Sequence, residues 1–267
     1  MTQTEPKDTW TAGDKYEPYI GRWSRLVANE FLPWLDAPSG VDWLDVGCGT
    51  GALANTILER TNPKSVRGVD PSSAFVEHAR STISDPRASF EVADAQSLPL
   101  APESVDAAVS ALVLNFVPEP RSAASEMARV TRPGGIVAAY VWDYAGKMEM
   151  LRYFFDAVVT LDPKMAAQDE GIRFPICKPE ALEELFTGAG LRDVQTRAID
   201  VPTHFSSFDD YWTPFLGGQG PAPSYVVSLD HERQTILRDF IRGRLPKEKD
   251  GSIHLIARAW AVRGRRA

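Results

Sequence analysis

The stretch that most constrains this chain runs from Val41 to Leu58. An apolar run through Trp43 and Leu44 reaches the acidic Asp45, then Gly47, Gly49 and Gly51 alternate with other residues, and Ala52 to Leu58 opens a helical pattern. The order is strand, tight turn, helix. Glycines let the backbone turn sharply and approach a ligand with no Cβ in the way. The free N–H groups of the helix start then face whatever occupies the turn.

Such a turn serves more than one ligand. Gly47, Gly49 and Ala52 also fit the G-x-G-x-x-G/A pattern of dinucleotide-binding turns, and a purely structural turn gives the same letters. Asp45 tilts the choice, because a carboxylate beside the turn repels a pyrophosphate but suits the ammonium group of an amino acid. Asp45-Val46-Gly47-Cys48-Gly49-Thr50-Gly51 resembles the first motif of the class I S-adenosylmethionine-dependent methyltransferases. The resemblance implies an α/β, Rossmann-like fold: a doubly wound, mostly parallel seven-stranded sheet with helices on both faces. It also implies S-adenosyl-L-methionine as cofactor, with Asp45, Gly47, Cys48 and Gly49 in its site.

The spacing downstream agrees with that layout. Ser65 to Asp70 reads as a second strand, and Asp70 closes it nineteen residues beyond Gly51, close to the ~20-residue offset of a ribose-binding carboxylate. One helix length returns the chain to the strand ends beside the first turn. Pro71 follows directly, and a helix-capping Asp70 is the plainer alternative. Ala88 to Val92 is a third strand leading to Asp94, which alone would be an ordinary turn former. In the resembled family this position meets the adenine amino group, with Ala95 and Gln96 beside it.

Val105 to Leu112 is a nearly continuous apolar strand, as expected when both sheet faces are covered. The resemblance adds Ala111, at its end, to the cofactor set. Arg132-Pro133-Gly134-Gly135 reads as a turn before a fifth strand, Ile136 to Val141. Asn115 and Trp142 follow the fourth and fifth strands, in the crevice where open α/β sheets bind ligands. Both are candidate acceptor-binding residues.

Residues 1–14 read as a flexible polar tail, and 15–267 as one methyltransferase domain. A helix is expected from Pro18, with Ile20, Trp23, Val27, Phe31 and Trp34 on one apolar face. Tyr19 to Ser24 resembles a family segment that covers the cofactor. That makes Arg22 either a fork for the methionine carboxylate or a solvated charge.

Beyond Tyr144 the motif-level resemblance ends. A helix over 179–187 and strands over 191–201 and 252–262 continue the pattern, and a closing antiparallel pair is the usual family ending. Two inserted helical cap segments are expected at about 146–178 and 203–250. Tyr211 and Trp212, with Phe208 and Phe215, either wall an acceptor pocket under a lid hinged at Gly217, Gly218 and Gly220 or form a satellite core. His204, Asp143, Asp209, Asp210 and Tyr211, and then His231 and His254, are the possible general bases, and none is assigned.

The chain has 267 residues and a net charge of -7, which argues against a nucleic-acid partner, since phosphate binding wants a basic surface. The Arg263, Arg265 and Arg266 cluster is a local exception that reads as a solvated tail. An Asn/Asp-Pro-Pro-aromatic motif, the mark of amino-methylating nucleic-acid enzymes, does not follow the fourth strand. With two cysteines, Cys48 inside the turn and Cys177, neither a disulfide framework nor a thiolate metal site is expected, and the cytoplasm is the expected compartment. No apolar run approaches the ~20 residues of a membrane span, and the start lacks a signal-peptide pattern. The expected function is methyl transfer to a small organic acceptor held under an aromatic-rich cap. The alternatives are a nicotinamide-dependent oxidoreductase and a non-catalytic S-adenosylmethionine-binding protein.

Overall fold

The computed structural model describes residues 21–217 and 220–267. The expected tail over 1–14, the helix start at Pro18 to Ile20 and the hinge position Gly218 therefore lie outside the described residues. In chain order the elements are α1 (Arg22–Leu35), β1 (Asp42–Val46), α2 (Ala52–Arg60), β2 (Ser65–Asp70), α3 (Ser73–Thr82), β3 (Ala88–Val92) and β4 (Val105–Ala111). There follow α4 (Pro120–Val130), β5 (Thr131–Trp142), α5 (Glu149–Leu161), α6 (Glu170–Arg173), α7 (Pro179–Gly188) and β6 (Leu191–Phe205). The last are α8 (Phe208–Trp212), α9 (Pro221–Ser228), α10 (His231–Arg242) and β7 (Ile253–Arg266).

The sheet has seven strands in the order β3-β2-β1-β4-β5-β7-β6. The pairs among β1 to β5 are all parallel, and β7 runs antiparallel to β5. From β1 the chain winds outward through β2 and β3, then returns to place β4 on the other side of β1. That reversal leaves a crevice at the carboxyl end of β1, the usual ligand position of open α/β sheets. The central position of β1 explains its composition, since Trp43, Leu44, Asp45 and Val46 are all buried. The Ser110 hydroxyl on β4 donates to the Val46 carbonyl at 2.8 Å, tying the two strand ends together.

Two local details differ from the sequence expectation. Val105 pairs with Thr131 but Ala107 with Ile136, so Arg132 to Gly135 form a bulge inside β5 rather than a turn before it. A Cβ at Gly135 would fall 2.6 Å from the Asp106 carbonyl, and Arg132 fastens the bulge to Asp106 and to the Ser104 carbonyl, at 2.6 and 2.7 Å. On α1, Val27, Phe31 and Leu35 are fully buried, and Phe31 meets Tyr140 edge to face at 4.8 Å. Leu35, not Trp34, completes this stripe, and the Trp34 carbonyl accepts a hydrogen bond from Arg263.

The chain divides into two compact units. The first, the sheet unit, holds residues 24–143, 175–200 and 258–267; the second holds, among the described residues, 21–23, 144–174 and most of 201–257. The second unit has its own aromatic core. Phe154 and Phe215 stack at 4.6 Å, Tyr211 meets Phe205 at 5.3 Å, and the Tyr211 hydroxyl donates to the Met150 carbonyl at 2.8 Å. Trp212 stacks on Phe208 at 6.3 Å and is only 7% exposed. Trp212→Ala should therefore lower stability by about 3–5 kcal/mol, read as a fall in melting temperature; an unchanged melting temperature would show that the indole is not packed in this core.

Candidate cofactor site

The site is built on the turn between β1 and α2. Gly47 and Gly49 adopt φ of 74° and 53°, a region that residues with a Cβ rarely enter. Their surroundings differ. A Cβ at Gly47 would fall 2.5 Å from the Val113 side chain, whereas one at Gly49 would meet nothing within 4 Å among the described residues. Gly47 is thus closed by packing, and Gly49 faces open space.

Asp70 holds this turn in place. Its Oδ2 accepts from the Gly49 amide at 3.0 Å and its Oδ1 from the Ser72 amide at 2.9 Å. Burial raises its pKa, and these two amides offset part of the rise. The cap of α3 is Ser72, whose hydroxyl accepts from the Phe75 amide at 3.4 Å. Asp70 therefore braces the glycine turn instead of capping the helix.

Asp45 is the outlier. It is fully buried, and neither carboxylate oxygen has a hydrogen-bond partner among the described residues. Burial lifts its pKa to about 7 and the Asp70 charge adds to the rise; the Ala54 amide, in the first turn of α2, opposes it without closing a hydrogen bond. A buried carboxylate without donors is costly, so its place beside the turn marks where a cation belongs. Beside it, burial and then the charges of Asp45 and Asp70 push the Cys48 thiol far up. Cys48 is neutral packing, not a nucleophile.

Asp94 is exposed and turns the chain after β3. It accepts from the Gln96 amide at 2.8 Å and from Gln96 Nε2 at 3.1 and 3.2 Å. The other end of Gln96 accepts from the Glu119 amide at 3.1 Å, which fixes the loop to the start of α4. Ala95 between them is buried, Pro71 is exposed, and Ala111 at the end of β4 is half-buried.

Past β4 the chain turns through Leu112, a non-glycine residue at φ 62°, whose amide donates to the Tyr140 carbonyl at 2.8 Å. This turn lays Val113 over Gly47. It also carries Asn115, buried at 9% exposure with neither carboxamide atom bonded among the described residues. Trp142, at the end of β5, is buried, and its indole N–H has no partner among the described residues. Sequence reasoning singled out Asn115 but gave no sign of the turn through Leu112 and Val113, because a left-handed leucine leaves no compositional signal.

Asp45, Gly47, Cys48, Gly49, Asp70, Pro71, Asp94, Ala95, Gln96, Ala111, Asn115 and Trp142 thus share the sheet unit, while Arg22, Tyr211 and Trp212 belong to the second unit. Of the base candidates, the Tyr211 hydroxyl is committed to Met150, and burial raises its pKa further. Asp210 is held by Arg22 and Ser206, and Asp209 is exposed beside Arg242 at 3.5 Å. His204 and His254 are exposed and meet edge to face at 4.6 Å. No catalytic base is assigned among them. Cys48 is free, and no group of three metal-ligating side chains occurs among the described residues.

Residues 44–139, which carry the glycine turn, Asp70, Asp94 and the strand ends above, match the family model described as a methyltransferase domain. Over this segment the chain is similar to the class I S-adenosylmethionine-dependent methyltransferases. It is 38% identical over 180 residues to an O-methyltransferase of Pyrenophora dematioidea, covering 66% of this chain and 62% of that protein. It is 28% identical over 193 residues to a ubiquinone/menaquinone biosynthesis C-methyltransferase of Desulfotalea psychrophila, covering 68% and 76%. The matched part spans from 36% to 76% of the length of the first curated relatives. Among solved structures, the YcgJ protein of Bacillus subtilis superposes with a TM-score of 0.60 at 17% identity, covering 90% of this chain and 97% of that one. The cofactor of this methyltransferase family is S-adenosyl-L-methionine. The residues fit it: Asp45 offers an unpaired buried carboxylate to an ammonium group, and Gly49 leaves space beside Asp70.

Proposed function

We propose that the protein transfers the methyl group of S-adenosylmethionine to a small organic acceptor. The observation that carries the reading is Asp45, a fully buried carboxylate with no hydrogen-bond partner among the described residues, set beside a glycine turn that Asp70 braces. Asp45 takes the methionine ammonium group, Asp70 the ribose hydroxyls, and Asp94 the adenine amino group, with Ala95, Gln96, Pro71 and Ala111 around the nucleoside. The bound sulfonium supplies its own electrophile, so the chain has to bind, align and dehydrate the reactants. Alignment alone supplies about 7–11 kcal/mol of the barrier in well-oriented reactions. Asn115 and Trp142 offer unbonded polar atoms to the acceptor. The rest of the acceptor pocket is largely apolar, as small-molecule sites are. The relatives that act in quinone biosynthesis and as an O-methyltransferase support an acceptor of small organic type. A nicotinamide cofactor is disfavoured, because its pyrophosphate would face the Asp45 carboxylate.

The test is calorimetry with S-adenosylmethionine and NAD on the native protein and on Asp70→Ala. Hydrogen bonds to a charged group contribute about 1.5–3 kcal/mol each, so Asp70→Ala should weaken S-adenosylmethionine roughly 10- to 150-fold per lost bond. NAD should show no saturable binding. Unchanged S-adenosylmethionine affinity in the variant would remove Asp70 from the site, and preferential NAD binding would overturn the reading.

A further inference from the structure

Arg263, Arg265 and Arg266, expected as a solvated tail, all lie in β7. Arg263 and Arg265 are two residues apart and so share one face of that strand. Together with Leu35, Ile136, Asp193 and Gln195 they line a pocket of about 100 Å³. These residues all belong to the sheet unit. Ile136 pairs with Arg265 on one side and with Ala107 of β4 on the other, and Ala107 pairs with Trp43 near the start of β1. The pocket therefore lies toward the amino ends of the parallel strands, away from the Gly47 turn at the carboxyl end of β1. Where one water needs roughly 10–15 Å³, it has room for a ligand of several heavy atoms.

The floor is apolar, since Leu35 and Ile136 are both buried. The walls are polar, and their hydrogen bonds are unevenly spent. Arg263 donates through Nη1 to the Trp34 carbonyl, and through Nε and Nη2 to Gln195 Oε1 at 3.3 and 2.9 Å. Its guanidinium lies over the Trp34 ring at 4.8 Å. Arg263 is thus a fixed positive charge, and with Gln195 Oε1 turned to it, Gln195 Nε2 is a spare donor. Arg265 spends Nη1 on the Gly134 carbonyl at 3.0 Å, which leaves its Nε–Nη2 edge for a carboxylate. Asp193 is held at φ 52°, and its carboxylate forms no hydrogen bond or ion pair among the described residues. An aspartate and two arginines line one small pocket without pairing. Opposite charges held apart in this way suit a ligand that carries both signs.

We propose that this pocket binds a small apolar α-amino acid as its zwitterion. The carboxylate takes Arg265 and the Gln195 amide, the ammonium group takes Asp193, and the side chain covers Leu35 and Ile136. A simple anion such as phosphate would satisfy the arginines but meet repulsion from Asp193, and a simple amine would meet the reverse. The site is separate from the proposed cofactor site and does not rest on the proposed function.

The experiment is an NMR titration of native protein, Asp193→Asn and Arg265→Gln, each with and without S-adenosylhomocysteine. The probes are valine, isovalerate, which lacks the ammonium group, and valinamide, which lacks the carboxylate. Asparagine tolerates a positive φ, so Asp193→Asn removes the charge and keeps the backbone. Valine should bind saturably and move the Gln195 side-chain amide signals. Isovalerate and valinamide should each bind roughly 2- to 5-fold more weakly, the scale of a partly exposed ion pair. Asp193→Asn should weaken valine and strengthen isovalerate by similar factors, a change of opposite sign for two ligands of one shape. Arg265→Gln should weaken both of these but not valinamide. S-adenosylhomocysteine should leave the affinity for valine unchanged. The proposal is overturned if valine does not saturate, or if isovalerate or valinamide binds as tightly as valine. It is equally overturned if Asp193→Asn shifts valine and isovalerate in the same direction, or if S-adenosylhomocysteine displaces valine.

Discussion

Replacing Asp45 with Asn should stabilise the ligand-free protein at neutral and alkaline pH while weakening S-adenosylmethionine. Burial raises the Asp45 pKa to about 7, against the 3.8 of an ordinary aspartate. Between those two values the folded state binds more protons than the unfolded one, so stability falls as pH rises through that window and is flat above it. The accumulated loss is on the order of 4 kcal/mol. An asparagine of the same shape carries no charge, so Asp45→Asn should lack this slope. The ligand acts in the opposite sense. An ammonium group beside Asp45 lowers its pKa, so binding below pH 7 releases a proton, and affinity climbs as pH rises towards 7. Denaturant unfolding at about pH 5 and pH 8, and calorimetry in buffers of different ionisation enthalpy, measure both effects. Parallel stability curves for the variant and the native protein would refute the account.

The same residue shows how far the sequence was legible. Asp45, Gly47, Asp70 and Asp94 could be placed from the letters alone because their spacing is set by one strand and one helix, which are local periods. The five parallel strands were readable for the same reason, and residues 44–139 are also the segment that matches the family model. Contacts that span the chain left no such trace. Arg22 and Asp210 lie 188 residues apart, and nothing near either one predicts the ion pair. The division into two units is similarly non-local, since the second gathers pieces from three parts of the sequence. Arg132-Pro133-Gly134-Gly135 was recognisable as irregular, but only the pairing on both sides of it shows a bulge within β5. Aromatic density in 203–250 signalled burial, while the partner of each ring came from packing alone.

Alanine at Gly47 and at Gly49 should give unlike variants, although the two glycines stand two residues apart in one motif. Both have positive φ, so each substitution carries the left-handed penalty of about 1–2 kcal/mol. At Gly47 the new methyl would also fall 2.5 Å from the Val113 side chain, and such overpacking adds about 1–3 kcal/mol. The total at Gly47 is about 2–5 kcal/mol of lost stability. Because Val113 sits on the turn that carries Asn115, the change should also disturb the acceptor end of the site. Trimming Val113 to Ala in the Gly47→Ala background should restore the overpacking part and leave the backbone part. At Gly49 nothing lies within 4 Å of the methyl, so stability should fall by no more than the backbone penalty. The methyl there would instead intrude on the space assigned to S-adenosylmethionine, and affinity should drop with little change in melting temperature. Gly47 would then be a packing glycine and Gly49 a clearance glycine. Equal losses of stability and of affinity in the two variants would show that the open space beside Gly49 is not where the cofactor sits.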